Sequence, residues 1–211
     1  LPEVLKRVAA INLGEVEKEI IIVDDGSGKE TIDLLKTLEE KYTIIYSPQN
    51  QGKGSAVRQG IKAASGDIIL IQDGDLEYNP VDYPALIAPI LSGEFQVVYG
   101  SRFLRPGNKH SKYYWGVLAL TLVANLLYRL KLTDLETCYK TFRADLLKNF
   151  SLRAKRFEFE PEVTAKIANQ EIAIKEVPIN YCPRTVQQGK KIKLKDGWEA
   201  IFTLIKYKFI S

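Results

Sequence analysis

Short apolar segments with high β-propensity alternate with helical segments along the first half of the chain, and this alternation limits the fold more than any other feature. The strand-like segments are residues 19–23, 43–46, 68–71 and 96–99. Segments of about 10–15 residues with a helical pattern lie between them. This order predicts an α/β domain with one Rossmann-like, mostly parallel sheet flanked by helices. Ligands of such sheets bind at the carboxyl ends of the strands.

The second half of the chain departs from this pattern. An apolar segment at residues 115–128 is too short to cross a bilayer, which takes about 20 residues, so it predicts a core helix or a helix at an interface. We expect further strands at residues 138–142 and 172–177, a helix after Pro161 and a closing helix from Trp198. No Pro- or Ser-rich linker divides the chain, so a single domain over residues 1–211 is predicted.

The charge and the cysteine content exclude several classes of protein. The 30 basic residues are matched by 26 acidic ones, which leaves a net charge of +4 and no nucleic-acid-binding footprint. Cys138 and Cys182 have no cysteine or histidine at zinc-ligand spacing, so we interpret them as the reduced core thiols of a cytosolic protein. No segment has the pattern of a signal peptide or a membrane span.

The turn Asp73-Gly74-Asp75 follows the strand segment at residues 68–71 and is the sharpest chemical feature of the sequence. Two carboxylates one residue apart can both reach a hard cation such as Mg²⁺ or Mn²⁺, which keeps coordination positions for phosphate oxygens. Gly74 lets the backbone come close to a ligand. An ordinary acidic β-turn is the alternative, since Asp and Gly are common in turns. The position after an apolar strand gives the two interpretations equal weight.

Two further loops have ligand-binding character. Asp24 and Asp25 end the first strand segment, where a carboxylate can accept a hydrogen bond from a nucleotide base. Their adjacent charges need a ligand or a donor that relieves the repulsion. Lys53 lies in the loop at residues 50–54, whose glycines allow a close backbone approach to a nucleotide, although the loop lacks the spacing of a P-loop. A plain loop before a helix is an equally good interpretation of this segment alone.

Several basic residues follow strands or lie in a glycine-containing loop, where they can neutralise a diphosphate leaving group. They are Arg102, Arg184, Lys190 and Lys191. Solvated surface charge is the alternative for the two lysines. We therefore expect the two arginines to be the stronger candidates.

Taken together, these motifs closely resemble glycosyltransferase family 2, in particular its dolichyl-phosphate mannose synthase and bacterial polyprenyl-phosphate glycosyltransferase branch. The resemblance covers almost the whole chain. It rests on residues 23–27, 50–54, 72–77, 100–102 and 133–140, and on Arg184 followed by residues 189–191. Each motif alone is weak or moderate, and their order and spacing together identify the family.

The resemblance implies a GT-A fold and transfer with inversion at the anomeric carbon. It implies a nucleotide-binding half at residues 1–102 and an acceptor-binding half at residues 103–211. Asp25 would face the base, and the implied metal ligands are Asp73, Asp75 and Glu77. The predicted nucleotide and diphosphate site consists of Asp24, Asp25, Lys53, Asp73, Arg102, Arg184, Lys190 and Lys191.

The chain departs from the family at its beginning. The family's opening strand, which ends in a Pro-x-Tyr-Asn-Glu-like motif and helps to bind the nucleotide, has no counterpart here. Leu1-Pro2-Glu3 resembles the start of the helix that follows that strand. Without that strand, the sheet would lose a central member and part of its nucleotide site.

The expected reaction is a direct displacement, in which an acceptor oxygen attacks C1 of the sugar opposite the nucleoside diphosphate. A dolichyl or undecaprenyl phosphate acceptor is already anionic and hardly needs a base. For a saccharide hydroxyl acceptor, the base would be Asp134, which we prefer, or Glu136, and Arg102 would stabilise the leaving group. Glu136 has an alternative role as a partner of Lys140. Competing hypotheses are a sugar-phosphate nucleotidyltransferase and a non-catalytic module that binds sugar nucleotides or glycans.

The donor and the cellular setting follow from the same features. UDP-hexose is favoured over GDP-mannose, because residues 134–140 resemble bacterial glucosyl-type enzymes. Basic segments at residues 109–112 and 190–195, together with the apolar segment from Trp115, predict a side with peripheral membrane contact. We expect a location at the cytoplasmic face of a membrane and no nucleic-acid partner. A homo-oligomer is possible.

Overall fold

A computed structural model describes residues 1–108, 114–184 and 194–210. The first half alternates strands and helices in the predicted order. Its elements are helix α1 (Pro2–Ala10), strand β1 (Ile21–Asp24), α2 (Lys29–Lys36), β2 (Thr43–Tyr46), α3 (Lys53–Ala63), β3 (Ile68–Leu70), a 3₁₀ turn (Pro80–Asp82), α4 (Tyr83–Leu91) and β4 (Val97–Ser101). Helix α1 begins at Pro2, as the sequence predicts, because proline suits the first turn of a helix.

The second half is richer in helices. Its elements are α5 (Tyr114–Tyr128), β5 (Lys140–Arg143), α6 (Ala144–Lys148), α7 (Phe159–Asn169), β6 (Ile174–Pro178) and α8 (Leu194–Phe209). In the described part of the chain, no helix is both long and apolar enough to cross a membrane.

The strands form two sheets. β1 and β2 pair in parallel, with Ile21 opposite Thr43 and Asp24 opposite Tyr46. The other sheet has the order β3-β5-β4-β6, in which β5 runs antiparallel to both neighbours and β4 is parallel to β6. Among the described residues, β1 and β3 each pair with a single strand. The predicted α/β architecture is confirmed.

The direction of β5 determines where the site forms. Because β5 runs opposite to β3 and β4, the residues before it lie beside the carboxyl ends of those two strands. The N–H of Ile71 donates to the carbonyl of Lys140 (3.1 Å), and the N–H of Gly100 donates to that of Tyr139 (2.8 Å). Segments that are distant in sequence therefore meet at one edge of the sheet.

The hydrophobic core lies between the four-stranded sheet and the helices packed on it. Leu86 of α4, Tyr99 of β4 and Ile167 of α7 are fully buried there. Cys138 belongs to this core, whereas Cys182 is exposed. The prediction of two core thiols is therefore correct for Cys138 and wrong for Cys182.

Candidate active site

The candidate site lies where β3, β4 and β6 end and β5 begins. Asp73 and Asp75 follow β3, and Arg102 follows β4. Arg184 lies in the segment after β6, and Asp134 lies in the segment before β5. Sheet topology thus places these predicted residues at a common edge, as expected for a ligand site of an α/β fold.

The two adjacent aspartates after β1 are held by backbone N–H groups. The Asp24 carboxylate accepts two hydrogen bonds from its own turn, at 3.0 and 3.1 Å. The Asp25 carboxylate accepts from the N–H groups of Gln51 (2.8 Å) and Gly52 (2.7 Å). These donors relieve the repulsion between the neighbouring charges. Asp24 is buried in its own turn, and the predicted nucleotide contacts of Asp24 and Asp25 both stay predictions.

The glycines of the loop at residues 50–54 approach another protein segment. Gly52 has a φ of +97°, and a Cβ atom there would lie 2.5 Å from the carbonyl oxygen of Lys155. A Cβ atom on Gly54 would lie 2.8 Å from the carbonyl oxygen of Arg156, to which the Gly54 N–H donates (3.1 Å). The close approach that the sequence suggested for a nucleotide is therefore made by the segment that contains Lys155 and Arg156.

The Asp73 carboxylate pairs with Lys53, whose ammonium group also contacts Glu160. Lys53 Nζ lies 3.0 Å from Asp73 Oδ1 and 2.8 Å from Glu160 Oε1. Burial acts to raise the pKa of Asp73, but the charge and hydrogen bond of Lys53 together with the effects of Cys138 and Arg184 outweigh it, so this pKa lies below its usual value. Lys53 is thus placed beside the first aspartate of the turn, as a phosphate-binding cation of that site would be.

Arg184 bridges Asp75 and Glu77. Its Nη2 lies 2.5 Å from Asp75 Oδ2, and its Nε lies 3.3 Å from Glu77 Oε1. Glu77 also accepts from the backbone N–H of Arg184 (2.9 Å) and from the hydroxyl of Tyr181 (3.0 Å). Burial raises the pKa of Asp75 above its usual value, against the effect of hydrogen bonding and of Arg184. Glu77 therefore anchors the segment after β6 and places the guanidinium beside the aspartate turn.

Arg102 and Asp134 form a buried ion pair. Arg102 Nε and Nη2 donate to the two Asp134 oxygens at 2.7 and 2.6 Å, and the Arg102 backbone N–H donates at 3.0 Å. Asp134 has no exposed surface. This carboxylate is enclosed and bound to Arg102, and its role as general base stays a prediction. The phosphate contact and the leaving-group role of Arg102 stay predictions.

Glu136 lies among buried charged groups. Its Oε1 is buried and has no hydrogen-bond partner among the described residues. Burial raises the pKa of Glu136, and the neighbouring Glu160 charge adds to this effect. The ammonium group of Lys140 bonds instead to the carbonyls of Leu135 (2.7 Å) and Thr137 (2.8 Å). Glu136 thus has a carboxylate oxygen without a partner among the described residues, whereas both Asp134 oxygens are bound to Arg102, and the choice of base stays a prediction.

Some predicted contacts fall outside the described residues. Lys190 and Lys191 lie there, and so does the basic segment at residues 109–112. Their predicted phosphate and membrane contacts stay predictions. Lys195 is described at the start of α8, where it pairs with Glu199 (3.3 Å).

The chain matches a known protein family over most of its length. The matching family is described as Glycosyl transferase family 2, and the match covers residues 1–150 of the 211. The chain belongs to glycosyltransferase family 2. The family resemblance of its motifs is thereby confirmed, and so is the prediction that it is a glycosyltransferase.

Two relatives of this glycosyltransferase match it over about nine-tenths of its length. The UDP-N-acetylglucosamine–dolichyl-phosphate N-acetylglucosaminyltransferase of Methanococcus voltae is 31% identical, over 90% of this chain and 84% of that protein. The low-salt glycan biosynthesis hexosyltransferase Agl6 of Haloferax volcanii is 24% identical, over 92% of this chain and 46% of that protein. The second relative is thus much longer than the part that this chain matches.

A solved structure shows the fold of the glycosyltransferase. Glucosyl-3-phosphoglycerate synthase from Mycobacterium tuberculosis, in complex with Mn²⁺, uridine diphosphate and phosphoglyceric acid, has a TM-score of 0.75 at 21% identity. The likeness covers 99% of this chain and 73% of that chain. It confirms the GT-A fold that the motifs implied.

The aspartate turn of the glycosyltransferase suits a hard divalent cation. Asp73 and Asp75 offer carboxylate oxygens, and each pairs with a cationic side chain in the structure. Mg²⁺ is typically held by one or two carboxylates together with phosphate oxygens and water. No group of three or more His, Cys, Asp or Glu side chains that could hold a metal ion occurs in the described ranges. Glu77, the predicted third ligand, bonds to Tyr181 and Arg184 in the structure, and its contact with a metal stays a prediction.

The glycosyltransferase site also contains residues that the sequence analysis missed. Glu160 contacts Lys53, and Glu162 accepts from the backbone N–H groups of Arg153 (2.9 Å) and Ala154 (2.6 Å). Glu162 thereby fixes the start of the segment that contains Lys155 and Arg156, which packs on the loop at residues 50–54. The sequence signal was the pair of acidic residues Glu160 and Glu162 at the start of α7. A surface helix would expose such side chains, but here both are buried.

Proposed function

We propose that this glycosyltransferase moves a hexose, with inversion, from a nucleoside-diphosphate sugar to a polyprenyl phosphate and uses Mg²⁺ or Mn²⁺. UDP-hexose is the favoured donor, and GDP-mannose is the alternative. One observation carries the proposal: Asp73 and Asp75 lie beyond the end of β3 with Lys53 and Arg184 on their carboxylates. Anionic oxygens for a divalent cation and cationic groups for a diphosphate therefore occur in one place.

The residues of the chain would act mainly on the leaving group. Asp73 and Asp75 would hold the divalent cation, which supplies positive charge to the diphosphate oxygens when it is bound. Lys53 and Arg184, which pair with these aspartates, would donate charge-assisted hydrogen bonds to phosphate oxygens. Asp25 would accept from an N–H group of the base. Stabilisation of the negative charge that develops on the departing nucleoside diphosphate is the largest contribution expected in such a reaction.

A polyprenyl phosphate acceptor agrees with the relative from Methanococcus voltae, whose name states transfer to dolichyl phosphate. An acceptor of this class is anionic near neutral pH, so it can attack C1 without prior loss of a proton. Because its lipid chain lies in a membrane, the glycosyltransferase would have to work beside that membrane. A surface suited to this contact is therefore expected.

Helices α5 and α8 provide such a surface. The Tyr128 hydroxyl of α5 donates to the carbonyl of Leu204 in α8 (2.6 Å), so the two helices are in contact. Their exposed apolar side chains recur at intervals of four, three or seven residues, which places each set on one helix face. These side chains are Trp115, Leu122 and Leu126 on α5, and Trp198, Phe202, Ile205 and Phe209 on α8. We call them the α5–α8 face and propose that it rests in the interface of the cytoplasmic leaflet.

The substitution Phe202→Glu is expected to reduce binding to vesicles roughly tenfold or more, because it replaces apolar contact area by a charge. Vesicles of anionic lipid with undecaprenyl phosphate are sedimented, and the bound protein is measured. Leu91→Glu is the matched control, since Leu91 on α4 is 54% exposed and Phe202 is 68% exposed. Equal binding of wild type and both variants would contradict the proposed face. If the wild type forms a homo-oligomer that Phe202→Glu dissociates, the face binds a second copy of the chain and not a membrane.

A hydroxyl acceptor is the second candidate, and Glu136 favours it. The Glu136 Oε1 has no hydrogen-bond partner in the described part of the chain. Burial raises the pKa of this carboxyl, and a higher pKa makes its ionised form a stronger base. A hydroxyl group needs such a base, whereas a phosphate acceptor does not.

The two candidates are separated by assays of wild type and Glu136→Gln with both kinds of acceptor. The protein is incubated with Mn²⁺, labelled UDP-hexoses or GDP-mannose, and either undecaprenyl phosphate or a soluble saccharide. The proposed function predicts label on the lipid phosphate and little change in rate in Glu136→Gln. Transfer to the saccharide that falls by about 10²-fold or more in the variant would support the second candidate and contradict the first. No transfer from any donor to either acceptor would contradict both.

A further inference from the structure

We infer that Lys53 is an exchangeable counter-ion of Asp73, and that Glu160 keeps the Lys53 ammonium in the site while it passes from Asp73 to a diphosphate oxygen. This role rests on the proposed function, because it concerns the same diphosphate site. It also explains the position of Glu160, a residue that no sequence motif indicated.

Lys53 is held between two carboxylates. Its Nζ lies 3.0 and 3.4 Å from the two Asp73 oxygens and 2.8 Å from Glu160 Oε1. Lys53 is the first residue of α3, and the adjacent Gly52 and Gly54 pack tightly on another backbone segment. The backbone of Lys53 is therefore fixed, while its flexible four-carbon side chain can change partners.

Glu160 is the fixed partner, and Asp73 is the one that can be exchanged. The side chain of Glu160 is 5% exposed, whereas that of Asp73 is 27% exposed. Glu160 Oε2 has no hydrogen-bond partner among the described residues. A buried carboxylate in this position depends on its cation, so withdrawal of Lys53 from Glu160 is costly. The more accessible Asp73 carries no such constraint, because a divalent cation can replace Lys53 there.

The charges of these residues link the binding of a divalent cation to the binding of a diphosphate. A divalent cation on Asp73 repels the Lys53 ammonium nearby. A diphosphate offers that ammonium a new anionic partner. The two ligands are therefore expected to strengthen each other's binding, and part of this coupling acts through Lys53.

Isothermal titration calorimetry of Mn²⁺ binding, with and without UDP or GDP, tests this role. Without nucleotide, Lys53→Met is expected to bind Mn²⁺ roughly tenfold more tightly than wild type, because the competing cation is gone. In the presence of Mn²⁺, the same variant is expected to bind the nucleotide roughly tenfold more weakly, because a phosphate partner is gone. A loss of folding weakens both interactions, so the opposite signs distinguish the exchange from a structural defect. Lys62→Met, on the same helix, is the control and is expected to leave both affinities unchanged.

The role of Glu160 is tested by Glu160→Gln. In this variant, Asp73 is the only one of the two partners of Lys53 that keeps a charge. This variant is expected to bind Mn²⁺ roughly tenfold more weakly than wild type in the absence of nucleotide. If Lys53→Met unfolds, the double variant Lys53→Met/Glu160→Gln takes its place, because it leaves no unpaired buried carboxylate at position 160. It too is expected to bind Mn²⁺ more tightly and the nucleotide more weakly than wild type. Unchanged or weaker Mn²⁺ binding after removal of Lys53 would overturn the exchange, and unchanged binding in Glu160→Gln would overturn the role of Glu160. If wild type binds neither nucleotide with Mn²⁺, the proposed function fails, and the exchange fails with it.

Discussion

Replacing Asp75 with asparagine is expected to lower kcat/KM for hexose transfer by about 10³-fold. Asparagine keeps a side-chain oxygen that can accept from the Glu77 N–H, a hydrogen bond of 2.9 Å in the structure. It removes the negative charge that would bind a divalent cation and that pairs with Arg184. We therefore expect the loss to arise in the binding of the cation and the diphosphate, with the shape of the turn retained.

The loss is measured as the initial rate of nucleoside diphosphate release in saturating Mn²⁺, at several donor concentrations. Asp145→Asn is the matched control, because Asp145 has a side chain that is 60% exposed and pairs with Arg143 on the surface. No change in kcat/KM is expected for the control. If Asp75→Asn keeps the wild-type kcat/KM, the assignment of this turn as the metal site is wrong.

Replacing Arg102 with methionine is expected to lower the free energy of unfolding by about 3–5 kcal/mol. The change deprives the fully buried Asp134 carboxylate of guanidinium donors at 2.6 and 2.7 Å. The backbone N–H of residue 102 remains as a donor at 3.0 Å, but a single neutral donor does not offset the cost of an unpaired buried charge. Urea unfolding followed by far-UV circular dichroism measures the effect.

Two comparisons show whether the cost comes from the unpaired charge. Arg102→Met combined with Asp134→Leu removes both charges and is expected to recover most of the lost stability. Arg143→Met breaks the exposed pair with Asp145 and is expected to cost less than about 1 kcal/mol. A cost for Arg102→Met no larger than for Arg143→Met would show that the buried pair does not support the fold.

The aspartate turn could be predicted because its position follows from a local pattern and a recurrent architecture. An apolar strand runs into Asp73, and the carboxyl end of such a strand is where α/β sheets bind ligands. Arg102 after β4 follows the same rule. The family motifs added the order of the segments, so the fold and the class of enzyme were both accessible from the sequence.

Contacts between distant segments were not accessible in this way. The sequence shows two adjacent charges at Asp24 and Asp25, but the donors that bind Asp25 come from a loop far along the chain. Glu160 reaches Lys53 because α7 packs behind the site, which no local pattern indicates. The antiparallel direction of β5 is set by its connections, and it brings Asp134 to Arg102, where the carboxylate is enclosed instead of open to a substrate.

A crystal structure of the protein grown with Mn²⁺ and UDP, with anomalous data collected on both sides of the manganese absorption edge, tests the central claim most directly. We expect one manganese peak within about 2.5 Å of carboxylate oxygens of Asp73 and Asp75 and of the diphosphate oxygens. Lys53 and Arg184 are expected to contact the same diphosphate. A nucleotide bound without a manganese peak at this turn, or a manganese peak away from it, would contradict the claim.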